Sequence, residues 1–179
     1  FADDLDNGLY RIGANTWGMA AAGAAVWITT AAGEITTPLN PAFLGVKAGD
    51  VFNVTGDGTY VDDSAKTTEI YDHNADYTLA TALFTAPVTA SYAFTGGHYC
   101  VGFISGHTGL YAYFVSSNRW ATLLFTDGLA YSSGGSCAVS GAADLDMDAA
   151  DTCYYKWKVS GHTKVIDFSG AWFSGHMIG

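Results

Sequence analysis

The sequence predicts an all-β protein, and three features of the chain indicate that class. Helical periodicity is nearly absent, whereas short runs of alternating polar and apolar residues recur from about residue 43 to the end. In the run Cys153–Val159 the four odd-numbered residues are apolar and share one side of an extended segment, with Tyr154, Lys156 and Lys158 on the other. Turn sequences such as Ser160-Gly161 stand where strands of this kind would reverse. One side of each strand is therefore expected to be buried and the other solvated.

The composition leaves little charge to cover a protein surface. Nearly half of the 179 residues are hydrophobic, 15% are aromatic and only 13% are charged, against about 25% in an average soluble domain. A chain of this length fits one domain, or one domain with a small appendage. Because a free monomer of this composition would expose much apolar surface, we expect oligomerisation to supply a second burial surface.

The charge balance excludes some classes of partner. With a formal net charge of −10 and seven Lys and Arg residues in total, the chain is a poor match for nucleic acid, whose binding depends on basic side chains. No apolar run reaches the roughly eighteen residues that predict a membrane span, and the opening Phe1-Ala-Asp-Asp4 does not resemble a signal peptide. We expect neither nucleic-acid binding nor membrane insertion, and we expect the chain to be a piece of a longer or processed protein.

The N-terminal residues differ in composition from the rest of the chain. Ala and Gly dominate there, and Pro38 closes the stretch, so we expect a β-rich segment 1–38 followed by a main domain 39–179. The one stretch with a helical appearance, Met19–Val26, is better explained as a hairpin and strand because Gly23 interrupts it.

Six further strands follow from the same alternation in the main domain. They are predicted at Ser91–Phe94, Tyr99–Ser105, Leu110–Ser116, Arg119–Phe125, Lys164–Phe168 and Ala171–Ile178. Two runs, Tyr111–Val115 and Thr122–Phe125, are apolar on both sides. That pattern favours a sandwich interior on one side and a subunit contact or a neighbouring sheet on the other.

Spaced residues in the main domain resemble a known family. The pattern consists of one acidic and four aromatic residues at fixed intervals: Asp72, Tyr77, Phe84, Tyr92 and Phe94. The blocks Met147–Cys153 and Phe173–Gly175 extend it, while Ala90 and Ala150 stand where the family usually has Gly. Together these residues resemble the globular head of complement component C1q and its tumour-necrosis-factor relatives. The resemblance implies a C1q-like ten-stranded jelly-roll sandwich that assembles as a homotrimer.

The resemblance also implies where the subunits would meet. The last strand of such a head lies in the inner sheet near the threefold axis, which makes Tyr92, Phe94, Phe173 and His176 candidates for the trimer interface. Tyr92 and Phe94 share one face of their strand and are equally explained as core residues. Three copies of His176 would offer a zinc ligand set, although a hydrogen-bonded interface histidine is commoner.

The N-terminal segment has a resemblance of its own. Residues Asp4–Asn15, followed by Gly18, are similar to the Asp-x-Gly-x-Tyr-Arg-x-Gly-x-Asn stem modules of bacteriophage tail fibres. A stem of this kind ahead of a C1q-like head is typical of phage fibre tips, and the lack of a Gly-x-y collagen repeat agrees with that interpretation.

The two resemblances together favour an extracellular virion protein. We expect a trimeric phage tail-fibre head that is attached to upstream fibre or virion proteins and adheres to a host-surface glycan or protein. Three alternatives stay open: a capsid or tail decoration protein, a depolymerase trimer and a nonviral C1q-like lectin. No Gly-x-Ser-x-Gly elbow, His-Glu-x-x-His motif or P-loop is present, so we expect no enzyme activity and assign no catalytic residue.

Two groups of residues are candidates for ligand binding. Sugar faces stack on aromatic rings and hydroxyl groups need fixed polar partners, which favours Asn118, Arg119, Trp120, Asp127 and Tyr131 as a ligand site. Each of these aromatic residues is also explicable as core.

A second group is acidic. Asp144, Asp146 and Asp148 alternate along the chain and could offer several oxygens to calcium, the one cofactor that the sequence suggests, or could equally form a solvated edge. A weaker acidic turn lies at Asp4–Asn7 with the same two explanations.

The cysteines and the remaining histidines favour structural roles. Cys100, Cys137 and Cys153 form an odd set without Cys-x-x-Cys spacing, so buried thiols are favoured and a Cys137–Cys153 bridge stays open. His107 and His162 each follow Ser-Gly, which turn formation explains better than metal binding.

Overall fold

The computed structural model describes residues 7–47, 49–62, 67–128 and 131–178. The described residues form β-strands and no helix, which confirms the all-β prediction, and they contain no helix that could cross a membrane. The strands are β1 Gly8–Gly13, β2 Thr16–Ala21, β3 Ala24–Thr29, β4 Ile35–Thr36, β5 Ala42–Lys47, β6 Val51–Thr55, β7 Val61–Asp62, β8 Thr67–Asp72, β9 Tyr77–Thr78, β10 Leu83–Thr85, β11 Ala90–Phe103, β12 Gly109–Ser116, β13 Trp120–Thr126, β14 Gly135–Met147, β15 Thr152–Ser160 and β16 Ile166–Met177.

The chain divides into two compact units, Phe1–Asn40 and Pro41–Gly179. In the first unit β1 to β4 form an antiparallel sheet in sequence order. Ala22 and Gly23, at φ of 50° and 76°, make the tight turn between β2 and β3, the left-handed geometry that two-residue hairpins favour. The hairpin predicted at Met19–Val26 is confirmed. Residues Asp4 to Asp6 of the predicted acidic turn and stem motif lie outside the described residues.

The second unit is a sandwich of two antiparallel sheets. Sheet I has the strand order β14-β11-β16-β5-β8, with β6 paired beside β16. Sheet II has the order β13-β12-β15-β10-β9, with β7 paired beside β15. Strands that are adjacent in sequence repeatedly fall in different sheets, as in β11 and β12 or β14 and β15, so the chain passes from one sheet to the other several times.

Two of the predicted strand pairs are single long strands. Ser91–Phe94 and Tyr99–Ser105 belong to the continuous β11, and Lys164–Phe168 and Ala171–Ile178 belong largely to β16. Gly97 lies between the first two predicted segments and lets the ring of Trp172 lie across the strand, where a methyl group would overlap it.

The longest strand that the sequence pattern missed is β14. It is rich in Gly, Ala and Ser, and its residues alternate only weakly in polarity, although they alternate between outer and inner positions in the structure. The acidic residues Asp144 and Asp146 therefore lie on the exposed face of a strand.

Aromatic rings fill the space between the sheets. Phe94 of sheet I lies at the centre, with its ring centroid 5.5 Å from Phe84 and 5.9 Å from Phe114 of sheet II, and 5.7 Å from Phe173 of its own sheet. All four side chains are 0% exposed. The alternation predicted for Cys153–Val159 is also confirmed, because the odd-numbered residues are buried and the even-numbered ones are not.

This packing corrects the predicted trimer interface. Tyr92, Phe94 and Phe173 are completely buried within one protomer, so no part of these side chains is accessible to a neighbouring subunit. The prediction is wrong for these three residues, because they lie on the face of sheet I that packs against sheet II. His176 lies on the opposite face of β16 and is exposed, so its assignment to an interface stays a prediction.

The cysteine geometry does not support a Cys137–Cys153 bridge. Cys137 on β14 lies directly opposite Cys100 on β11, in sheet I, whereas Cys153 on β15 lies opposite Phe84 and Ser116 in sheet II. All three thiols are free. Burial raises the pKa of the Cys100 and Cys153 thiols far above the ordinary value, as expected for inert core cysteines.

A histidine that the sequence did not single out lies in the core. The Nδ1 atom of His98 is 2.6 Å from the hydroxyl oxygen of Tyr155, and its ring stacks on Trp157 at 4.4 Å between centroids. Its Nε2 atom has no hydrogen-bond partner among the described residues. Burial lowers the pKa of His98 from 6.5 to about 3, because the charged ring would be desolvated.

His98 is expected to make the fold sensitive to acid. The unfolded chain binds a proton below pH 6.5 while the folded chain does not until about pH 3, so stability is full above pH 6.5 and falls as the pH drops through that window. Within that window the free energy of unfolding falls by about 1.4 kcal/mol per pH unit because of His98, so the loss at pH 5 is about 2 kcal/mol. Urea unfolding at pH 7 and pH 5 should therefore show a larger loss for the natural protein than for His98→Gln. Equal losses in the two proteins would contradict this role.

Candidate functional site

The turn between β12 and β13 projects two of the predicted ligand residues. The Ser116 backbone N–H donates to the Arg119 carbonyl over 2.8 Å, and the Ser116 hydroxyl accepts the Arg119 N–H over 3.1 Å. This closes a tight turn from Ser116 to Arg119. Asn118 and Arg119 are thus held at the end of sheet II by hydrogen bonds between their backbone groups and Ser116, which leave their own side chains out of the turn.

The turn between β14 and β15 lies beside it. Ala150 adopts φ of 72°, a left-handed conformation that glycine adopts most readily, and it stands where the C1q-like pattern usually has Gly. One carboxylate oxygen of Asp151 accepts the Asp148 backbone N–H over 3.0 Å and the Asn118 side-chain amide over 2.7 Å. Asp151 therefore ties the two turns together.

These turns and the start of β11 enclose a cleft of about 310 Å³, which we call the acidic cleft. Its polar lining residues are Thr89, Ser91, Asn118, Arg119, Asp146, Asp148 and Asp151. The Ser91 hydroxyl donates to Asp146, and the Thr89 hydroxyl donates to Asp148 over 3.4 Å. Among the described residues the Arg119 guanidinium has no hydrogen-bond or ion-pair partner, so its donors are available to a ligand.

The charges of the acidic cleft define what it can hold. Three carboxylates and one guanidinium line it, which gives a formal charge of −2. Carboxylate oxygens accept from hydroxyl groups and the guanidinium donates to oxygen acceptors, so the cleft suits a small neutral ligand rich in hydroxyls. Its volume is at the lower end of the range for small-molecule sites, about 300 to 1,000 Å³. A polyanion would be repelled.

The predicted calcium site is not assembled. Asp144 and Asp146 project from the exposed face of one strand, and alternate residues of a strand are roughly 7 Å apart along it. Asp146 and Asp148 are instead engaged by the hydroxyls of Ser91 and Thr89. In the described part of the chain, no group of three or more His, Cys, Asp or Glu residues is arranged to hold a metal ion.

The five predicted ligand residues fall into separate places. Asn118 and Arg119 line the acidic cleft, whereas Trp120 begins β13 and joins an aromatic cluster on the outside of sheet II. Asp127 follows the far end of the same strand and accepts the N–H of Gly128 with its own side chain. Tyr131 stacks on Phe103 at 4.3 Å between centroids, and burial raises its pKa. The structure therefore does not bring the five together.

The histidines after Ser-Gly have the structural roles that turn formation predicts. His107 is completely buried; its Nδ1 atom accepts the Ile104 N–H over 3.1 Å, which leaves Nε2 to donate to the Lys164 carbonyl over 2.8 Å. His162 accepts the Lys164 N–H over 2.8 Å with Nδ1. Both histidines bind the backbone of Lys164 in the connection between β15 and β16, and neither lines the acidic cleft.

Sequence reasoning missed three residues of the acidic cleft: Thr89, Ser91 and Asp151. The first two precede or begin a strand whose aromatic residues dominated the pattern, and their partners Asp148 and Asp146 are more than fifty residues away in sequence. Only the register of β11 with β14, which places Ser91 opposite Asp146, reveals the pairing.

Comparison with known proteins supports the fold. No protein-family model matches the sequence, and no curated protein matches it significantly. Among solved structures, the globular domain of zebrafish complement 1qA protein is similar at 22% identity and a TM-score of 0.55, covering 78% of this chain and 98% of that one. The crystal structure of murine APRIL at pH 8.5 matches at 13% identity and a TM-score of 0.47, over 78% of this chain and 99% of that one. The two packed antiparallel sheets and the similarity to the complement domain confirm the predicted C1q-like jelly-roll sandwich as the fold.

Removal of the Asp151 carboxylate should loosen the acidic cleft. Asp151→Ala deletes the acceptor shared by Asn118 and Asp148, and we expect a loss of about 1–2 kcal/mol in the free energy of unfolding. The control is Asp144→Ala, an exposed carboxylate of the adjoining strand, which should change the free energy by less than about 0.5 kcal/mol. Urea unfolding of the two variants checks the difference, and equal effects would contradict the role of Asp151.

Proposed function

We propose that this chain is the head of a homotrimeric phage tail fibre, an extracellular virion appendage that adheres to a host-surface glycan or protein. Recognition is noncovalent and takes place at loops held on a rigid sandwich. The acidic cleft is the primary contact site. The observation that carries the proposal is an uncharged surface across the middle of sheet I.

That surface, which we call the neutral face, consists of the side chains of sheet I that point away from the core. Its members are small, apolar or uncharged polar residues: Leu44, Val46, Thr95, Gly97, Tyr99, Ala138, Ser140, Ala142, Ser169, Trp172 and Ser174. Register places them side by side across four strands. Among the described residues of these four strands, charged groups on this face lie toward the two ends, with Asp144, Asp146 and His176 at one and Asp167 at the other. A monomer would leave this face in water, and subunit packing would cover it.

The N-terminal sheet supports assembly in the same way. Of residues 7–40, Gly18 alone is buried, while Leu9, Trp17 and Ile35 are 69%, 55% and 70% exposed. Arg11 pairs with Trp17 and Leu9 pairs with Met19 across β1 and β2. Because residues two apart on a strand share a face, Trp17 and Leu9 lie on the same face of the sheet. A sheet with this much uncovered apolar surface needs packing partners to be stable. Copies of the same sheet around a common axis would provide them, as expected for a fibre stem.

Adhesion follows from the combination of a small site and three copies. The acidic cleft is small, so we expect a single cleft to bind weakly. Three clefts on one rigid tip raise the effective concentration of the second and third contacts. The phage assignment rests on the resemblance of the segment ending at Asn15 to tail-fibre stem modules, and it remains part of the proposal.

A lysine in the neutral face should separate the subunits. Thr95 lies at the centre of the face and is exposed, so Thr95→Lys would bury a charge in each subunit contact. We expect monomers by sedimentation velocity at micromolar concentration. The matched control, Thr122→Lys on the outside of sheet II, should leave the assembly unchanged. A Thr95→Lys protein that assembles like the natural one would exclude the neutral face as the contact.

The binding role is tested with a glycan array and host cells. Arg119→Ala removes the one free cation of the acidic cleft among the described residues, and adhesion should fall by at least about tenfold while the assembly is retained. Thr95→Lys should lose about a hundredfold in apparent affinity because avidity is lost. Undiminished adhesion by Arg119→Ala would show that the acidic cleft is not the contact site.

A further inference from the structure

The outside of sheet II carries an unusual surface of aromatic rings and lysines. We call it the aromatic–lysine face, and its members are Tyr60, Tyr111, Tyr113, Trp120, Phe125, Tyr154, Lys156 and Lys158. Tyr111 and Tyr113 form a nearly buried floor, 7% and 8% exposed. Above them Phe125, Trp120 and Tyr60 are 65%, 51% and 40% exposed, so large ring surfaces meet solvent.

The rings are held in fixed positions by edge-to-face packing. Phe125 meets Tyr111 at 4.9 Å between centroids, and Trp120 meets Tyr113 at 5.2 Å and Tyr60 at 5.7 Å. Burial, followed by the neighbouring Tyr60, raises the pKa of the Tyr113 hydroxyl to about 12. Tyr113 thus remains neutral at physiological pH and acts as a support.

The lysine ammonium groups lie among the rings. The Lys158 Nζ atom is 4.6 Å from the Tyr60 ring centroid and 4.7 Å from that of Tyr111. Lys156 lies 5.0 Å from the Tyr60 centroid and 3.3 Å from Asp62, a half-exposed carboxylate. Among the described residues Lys158 has no ion-pair partner. Both positive charges are therefore fixed in place, and one of them is not neutralised.

The face is built as two parallel rows across the sheet. In register, Lys158 lies opposite Tyr111, which lies opposite Phe125. Lys156 lies opposite Tyr113, which packs against Trp120. Each row therefore runs from a cation over a tyrosine floor to an exposed ring, and the rows are two residues, or roughly 7 Å, apart along the strand.

We propose that the aromatic–lysine face binds an anionic polysaccharide, with sugar rings stacked on Trp120 and Phe125 and a carboxylate paired with Lys158, the lysine of the face that has no ion-pair partner among the described residues. Two exposed rings beside a cation match a polymer that repeats a sugar and an acid group. Charge complementarity selects the ligand, because two of only seven Lys and Arg residues in a chain of net charge −10 are gathered here.

Other occupants fit the surface less well. A nucleic acid needs more cations than the two present, because its affinity depends on the number of phosphates neutralised. An added peptide strand needs unpaired backbone groups, and β12 is paired on both sides, with β13 and β15. The inference names a second surface, separate from the acidic cleft, and would hold in a monomer. It rests on the proposed adhesive role only for its biological setting.

The test is calorimetric titration of the natural protein with polygalacturonate and with hyaluronan, at low and at physiological salt. We expect binding to at least one of these polymers, weakened by salt. Lys158→Gln and Trp120→Ala should each lower the affinity at least tenfold, whereas Lys164→Gln, which removes an exposed cation beside β11 of sheet I, should leave it unchanged. Circular dichroism confirms that the variants are folded, since Trp120 is half-exposed and Lys158 is at the surface.

Several outcomes would overturn the inference. These are binding to neither polymer, equal binding by Lys158→Gln and the natural protein, equal affinity for uncharged dextran, or equal affinity for a single-stranded oligonucleotide. Loss of binding in Thr95→Lys alone would place the anion site in the assembly rather than on this face. Failure of Arg119→Ala to affect host adhesion would concern the acidic cleft and leave this result intact.

Discussion

Aromatic packing between the two sheets is the interaction on which the rest of the molecule depends. Phe94 lies within 6 Å of rings from both sheets, measured between centroids. Gly175 leaves the room for this layer, because a methyl group there would press on the rings of Phe43 and Phe94. Once the sheets are locked face to face, the turns at their ends take up fixed positions and the outward side chains form continuous surfaces. The acidic cleft and both outer faces follow from that layer.

The sequence predicts the fold well where polarity alternates and poorly where small residues dominate. The alternation in β15 correctly separates Trp157 from Lys156 and Lys158. In β14 Ala, Gly and Ser differ too little in polarity to mark a strand. In β11 the contact between Gly97 and Trp172 joins distant parts of the chain, so local alternation does not show that the strand is continuous. The buried aromatics were predicted both as core and as interface, and only their complete burial decides between the two.

The candidate site was only partly predictable, because neighbours in sequence need not be neighbours in space. Arg119 and Trp120 are adjacent, yet one lines the acidic cleft and the other joins the aromatic–lysine face. Conversely, Asn118 and Asp151 are far apart in the chain and share a hydrogen bond of 2.7 Å. Such pairs depend on strand register, which local patterns do not specify. The lysines of β15 were recognised as solvated, but their position over aromatic rings required the sheet.

The three surfaces of the head differ in chemistry, and this difference divides them between assembly and binding. An uncharged face is suited to like subunits, while an acidic cleft and a cationic aromatic face remain for ligands. Sedimentation equilibrium of the unmodified chain at low micromolar concentration measures whether the uncharged face is covered by like subunits. We expect one species at three times the chain mass of 18.8 kDa. A single species of 18.8 kDa that persists as the concentration is raised would contradict it.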